Sequence, residues 1–261
     1  MHTVSHALKL GANTQTQITA STMSISGYLG SAQVTVETDD TSTNTSVKQL
    51  AANINAVKTS TGVEATAITK GKLHSVGATG VVKFNLAGNH ETTGSTAATF
   101  YAVTATLAAT TDLDPLADAI NKHAANTGIT AKLGATAAEI ILTHQTGETI
   151  ELTGITVGGV TSQNLKLTSL DKFGNDTTSA DTTLNRVANT SASSFTTTNG
   201  ANKRNAYVLG TVTLSSIKNF TVAGDHADQN KGYFESGLGT GAAADGYTGQ
   251  TAAGGTAKLS S

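Results

Sequence analysis

The sequence predicts an α+β fold, mainly antiparallel β-structure with short helices packed on sheets, built from two tandem helix–strand repeat units. Three observations carry this. A sixteen-residue phrase occurs twice without gaps, as "LAANINAVKTSTGVEA" from Leu50 and "LADAINKHAANTGITA" from Leu116. In each copy a helical spacing of apolar residues ends on Thr-Gly and gives way to strict alternation. Strand-like runs flank both copies.

In the first copy Leu50, Ala51, Ile54 and Val57 fall on one helical face; in the second Leu116, Ala117, Ile120 and Ala124 do so. Asp114-Pro115 reads as N-cap plus first helical residue, and Thr45 or Ser46 as the cap of the first helix. Gly62 and Gly128 sit where a helix ends in a left-handed residue, which costs glycine nothing sterically. Beyond them Val63, Ala65 and Ala67, and likewise Ile129, Ala131 and Leu133, alternate with polar residues as a half-buried strand does. The flanking runs "AQVTVE", "ATFYAVTATLA", "VVKFNLA" and "AEIILTHQTGETIELTGITV" read as strands, with Thr-Gly-Glu in the last as a hairpin turn. Every recurring position is apolar, a cap or a turn, apart from Asn55 and Asn121. A duplicated packing unit therefore explains the repeat better than a duplicated binding module.

The chain's two ends, "LGANTQTQITASTMSISG" and "YVLGTVTLSSIKNFTVAG", are both strand-like, with Ile18 and Ala20 alternating in one and Val212 and Leu214 in the other. Their pairing would bring the termini together, the geometry of a domain inserted into a loop of a larger protein. The expected division is an inner, stalk-like subdomain from residues 1–30 plus 206–261 and an outer one from 31–205. The outer subdomain would hold the repeat units near 45–88 and 112–157. The polar stretch from Lys172 to Tyr207 reads as a long surface excursion. The Gly/Ala/Ser/Thr-rich tail after Asp225 reads as a loop or connector.

Composition narrows the function. Charged residues are 13% of 261 with a formal net charge of −2, and no Lys/Arg cluster offers the footprint of a nucleic-acid binder. Cysteine is absent, which excludes disulfides and thiolate metal sites. No run approaches the roughly 18 apolar residues of a membrane span, and "MHTVSHALKL" lacks the apolar centre of a signal peptide.

The search for chemistry returns little. His90-Glu91 lacks the second histidine of H-E-x-x-H, and His74, His123 and His144 share no ligand spacing, so solvent-facing histidines are expected. Ser215-Ser216-Ile217-Lys218 fits S-x-x-K without its partner motifs. Gly237 to Ala242 fits G-x-G-x-x-A outside any strand–helix context. Asp225, Asp228 and Asn230 lack the spacing and closing glutamate of a calcium loop. No catalytic, cofactor-binding or metal-binding residue is expected, and the chain reads as a non-enzyme.

The phrase L-A-x-x-I-N-x-x-x-x-x-T-G-[V/I]-x-A resembles the short insertion motif of bacterial flagellins and hook-associated proteins. Its residues here are Leu50, Ala51, Ile54, Asn55 and Gly62, then Leu116, Ala117, Ile120, Asn121 and Gly128. "LGANTQTQI" is similar to the point where a flagellin leaves its N-terminal helical region, and "GTVTLSSIKNFTVAG" to the return path. The resemblance implies the outer, variable domains of a flagellin, extracellular on the filament, antigenic and often O-glycosylated. The polymerising terminal helices would lie outside this chain and contact neighbouring subunits. Outer domains of adjacent subunits or filaments are further candidate contacts, no nucleic acid or membrane is expected as a partner, and the piece alone is expected to be a monomer. Two alternatives are the central domains of a filament cap or hook-associated protein, and a surface adhesin or glycan-binding module using exposed tyrosines.

Overall fold

The structure is a computed structural model that describes residues 4–7, 21–36, 46–88, 99–158, 165–176, 182–183, 205–208 and 210–223. In chain order the elements are β1 (Val4–Ala7), β2 (Ser21–Ser26), β3 (Ser31–Val36), α1 (Val47–Ala56), α2 (Lys58–Thr61), β4 (Val63–His74), β5 (Gly80–Ala87) and β6 (Tyr101–Leu107). They continue as α3 (Asp114–Asn121), α4 (Ala124–Thr127), β7 (Ile129–Leu133), β8 (Glu139–His144), β9 (Ile150–Val157) and β10 (Lys166–Leu170). The last are β11 (Thr182–Thr183), β12 (Asn205–Val208), β13 (Thr211–Ser216) and β14 (Thr221–Ala223). All the pairings are antiparallel, and the fold is α+β with short helices on sheets.

Two units share one plan. In the first, the β2–β3 hairpin takes β14 on its free edge, α1 and α2 follow, and β4 pairs with β13. In the second, the β5–β6 hairpin takes β9, α3 and α4 follow, and β7 pairs with β8. The plans differ in one connection. A short turn joins β7 to β8, whereas the whole second unit lies between β4 and β13. The second unit is nested inside a hairpin of the first.

Burial follows the nesting. One core gathers Met23, Ile25, Val34, Leu50, Ile54, Val63, Val212 and Leu214, drawn from both ends of the chain. The other gathers residues such as Phe84, Leu86, Leu116, Ile120, Ile129, Leu142 and Leu152 from the second unit. Strand β4 is long because it serves both. Val63–Ile68 pair with β13, while Thr69–His74 pair with β8 and Lys70–His74 with β10.

Local details depart from the sequence reading in instructive places. Each helix is broken in two, at Val57 and around His123, both near φ −100° and ψ 0–10°. The cap of α3 lies one residue earlier than expected, at Leu113, with Asp114 already helical and Pro115 behind it. Asp112 supplies the carboxylate, accepting from the Asp114 N–H at 3.2 Å. Ser46 does hold the N-cap position of α1 but makes no side-chain capping bond. Thr-Gly-Glu at 146–148 does not close a hairpin. β8 pairs with β4 and β7, and β9 with β5 and β12, so the segment carries the chain from one sheet to another. Gly147 at φ +84° makes that turn against Ala67 and Val47. Ile18, Ala20, Thr45, the tail after Asp225 and most of the 172–207 stretch lie outside the described residues.

Candidate functional site

The repeated phrase builds the same hydrogen-bonded joint twice. The apolar positions Leu50, Ala51 and Ile54 in α1, and Leu116, Ala117 and Ile120 in α3, are buried against their sheets. Next to them in the chain, the two asparagines reach sideways to the strand that follows. Asn55 Nδ2 donates to the Ala65 carbonyl at 2.9 Å, and its Oδ1 accepts from the Ala65 N–H at 2.8 Å. Asn121 makes the same pair with Ala131, at 2.9 and 2.8 Å.

This pairing has a physical logic. At Ala65 and Ala131 the strand bonds β13 or β8 on one edge, and the other edge would be left with a bare N–H and carbonyl. Open edges invite pairing with other chains, and an unmade backbone bond costs about 1–3 kcal/mol where it is buried. A primary amide carries donor and acceptor side by side, the complement of one strand residue. Asparagine is thus the shortest side chain that closes a strand edge in two places at once.

Thr61 and Thr127, both fully buried, make the second half of the joint. Each hydroxyl donates to the carbonyl four residues back, Val57 or His123, at 3.0 Å. Each also accepts from the first strand N–H, of Val63 or Ile129, at 3.2 Å. Between them Gly62 and Gly128 turn the chain at φ +73° and +70°, as a left-handed helix stop requires. Their Cα atoms also lie against side chains, the Tyr28 ring and the His144 imidazole respectively.

The closing residue differs between the copies. Ser216 Oγ donates to the Gly62 carbonyl at 2.9 Å. In the second unit the same sheet position belongs to His144, opposite Ile129 as Ser216 is opposite Val63. His144 is 7% exposed, not solvent-facing as the sequence reading has it. Its pKa is lowered, first by burial, with Glu148 opposing and Lys48 adding to the shift. His74 bonds Ser75 and Thr168, each at 2.9 Å. Among the described residues no group of three or more His, Cys, Asp or Glu could hold a metal ion.

Among the described residues an ion pair links the units. Lys48, in the first turn of α1, reaches Glu148, beyond β8, at 2.7 Å, with Glu148 buried. Sequence reading misses Thr61, Thr127, Ser216 and this pair. The threonines are signalled by their presence in both copies of the phrase. Ser216 and Glu148 carry no local signal, because the nesting alone brings them to their partners.

Comparison with known families and proteins fits this geometry. No curated protein matches the chain. Residues 22–74 and 83–145 each match the flagellin hook IN motif. The first match runs from β2 through the end of β4, and the second from β5 through β8, so both cover hairpin, helices and returning strand. The motif belongs to a structural family of the bacterial flagellum whose members assemble with other flagellin subunits. The twin units are thus two flagellin hook IN motifs, and in them the chain is similar to flagellin-related filament and hook components.

Proposed function

We propose that this chain forms the solvent-exposed outer domains of a flagellin, a non-catalytic module that sets the surface and antigenic character of an extracellular filament. The nested plan is the observation that supports it most. Two strands far apart in the sequence, β2 and β14, pair within the first unit, an arrangement that suits a module inserted at one place in a larger protein. The inner subdomain in this reading is redrawn from residues 1–30 plus 206–261 to include the first unit, because α1 shares its core with β2, β13 and β14. The outer subdomain is the second unit. Outward strand positions such as Thr66, Thr104, Thr106 and Thr130 give the surface its hydroxyl-rich, weakly charged character, a substrate for O-glycosylation.

Contacts between neighbouring subunits are assigned to terminal helices outside these residues. The test is to delete residues 21–223 from the full-length protein, joining the flanks with a short linker. Filaments that still assemble, thinner in electron micrographs, are the expected result; loss of polymerisation would overturn the reading. The motif's association with the hook favours one alternative, the central domains of a cap or hook-associated protein. In that case the intact protein would form small closed assemblies instead of long helical polymers.

A further inference from the structure

The two joints are closed by different chemistry, a hydroxyl in the first unit and an imidazole in the second. The backbone of Thr127 at the end of α4 and of Gly88 just past β5 lies at the His144 ring, and both favour its protonated form. Its Nδ1 lies 3.2 Å from Thr146 Oγ1, and the ring rests on Gly128. The buried imidazole therefore sits where the helix end, the β5 end and the turn beyond β8 meet. Ser216, its counterpart, reaches the Gly62 carbonyl with a group that does not titrate.

We propose that His144 is an acid-sensitive latch on the second unit: its protonation releases the α3–α4 segment from β5 and β7 while the first unit stays closed.

The surroundings of the ring support this. The charges that act on it are Glu148 on the following turn and Lys48 on α1, which pair with each other and pull in opposite directions. From β4, Thr69 stands opposite His144, while Lys70 and Lys72 are held by the Lys172 carbonyl and Asp176. From β7 comes the apolar Ile129, and from α4 and the residue after it the backbone of Thr127 and Gly128. The end of β5 is Ala87, paired with the buried Glu151 of β9. Burial outweighs Glu148 and the Thr127 and Gly88 backbone, which favour the charged ring, and it favours the neutral one.

The sign follows from linkage. A histidine whose folded pKa lies below its unfolded value of 6.5 leaves stability untouched above that pH. As pH falls below it, the open state takes up the proton first, and stability is lost until the folded pKa is reached. Within that window the opening equilibrium changes by up to ~10-fold per pH unit for one proton.

Amide hydrogen exchange on the whole chain, corrected for intrinsic rates, tests the latch between about pH 7.5 and 5. Segments over α3, α4 and β7 should open more at the lower pH, approaching ~10-fold per unit below about 6.5. Segments over α1, α2 and Val63–Ile68 should not respond. His144→Ser, which installs the first unit's residue, should abolish the difference, and His123→Gln should leave it intact. If His144→Ser fails to fold, an NMR titration of the His144 ring in the unaltered chain decides. Titration at or above about 6.5, an equal acid response in both units, or persistence of the response in His144→Ser would overturn the proposal.

Discussion

The first unit and the second contain the same joint to within a tenth of an ångström, yet they close their sheets differently. In the second, β7 turns directly into β8. In the first, β4 waits for β13, which arrives only after the second unit has been made. The asparagine and threonine bonds span 10 residues or fewer, so they form within the phrase itself. The partner strand is supplied from wherever the topology allows. What defines the unit is therefore a local helix–strand joint, and the sheet around it is an open choice.

The largest effect should come from emptying the core beneath each joint. Ile54 and Ile120 are both fully buried, and replacing either with alanine is expected to cost about 2–5 kcal/mol. Nesting makes the consequences unequal. The second unit is contiguous, so after Ile54→Ala its amides should keep their protection from hydrogen exchange. Unfolding of the second unit turns a short link between β4 and β13 into a long loop, which adds roughly 2 kcal/mol of closure entropy against the first. Ile120→Ala should therefore weaken protection in both units. The reverse pattern would break the nesting argument.

A smaller and more discriminating pair is Gly62→Ala and Gly128→Ala. Both residues are left-handed, a conformation that costs an alanine roughly 1 kcal/mol or more. A methyl at Gly62 would meet the Tyr28 ring, which is 39% exposed and bordered by solvent and the Lys218 ammonium. A methyl at Gly128 would meet the buried His144 ring. Thermal melts should show about 1–2 kcal/mol lost for Gly62→Ala and about 2–4 for Gly128→Ala. Equal losses would mean that the two closures are mechanically alike.

Asn55→Ala and Asn121→Ala sharpen the comparison from the other side, since here the units should agree. Each leaves the N–H and carbonyl of one strand residue without partners at a half-covered edge, worth about 1–2 kcal/mol. The sites lie in separate cores, so the double variant should lose the sum within about 0.5 kcal/mol. Light scattering adds a second readout, because an uncovered edge invites pairing with other chains. Faster association of the double variant is expected, and a stable, monodisperse double variant would show that the asparagines do not guard the edge.

The joint is legible in the sequence to the extent that it is local. Leu50 and Ile54 announce the buried face by their spacing, Gly62 the stop, and Val63 and Ala65 the alternation. Asn55 stands out because it fits none of these roles, and its role is the strand edge. What cannot be read is long-range. Thr-Gly-Glu after β8 has the composition of a hairpin turn, and nothing local reveals that Glu148 is buried on Lys48 of α1. His144 looks like one polar residue among many, because its burial comes from β4, β7 and the end of α4 meeting around it. The start of α3 is misread by one residue because Asp112, two positions before Asp114, offers the same carboxylate chemistry to the helix end.

The smallest effect is expected where the second unit repeats the first unit's own invitation. The turn between β7 and β8 is the structural counterpart of the place where the second unit enters the first. Its residues Ala135 and Thr136 are exposed. The bonds that hold it in place use Gly134, Thr136, Ala137 and Glu139, with the Ala137 carbonyl accepting from Leu113 N–H at 2.8 Å. A ten-residue Gly/Ser insert between Ala135 and Thr136 leaves those contacts available, and it should lower stability by less than about 1 kcal/mol. The same insert between Gly147 and Glu148 would pull a buried carboxylate from Lys48 and separate the sheets that the segment joins, so it should prevent folding of the second unit. Circular dichroism melts of the two insertion variants distinguish these outcomes. If the exposed turn proves as intolerant as the buried one, the β7–β8 hairpin is not equivalent to the β4–β13 pair, and the nested plan does not extend to a third level.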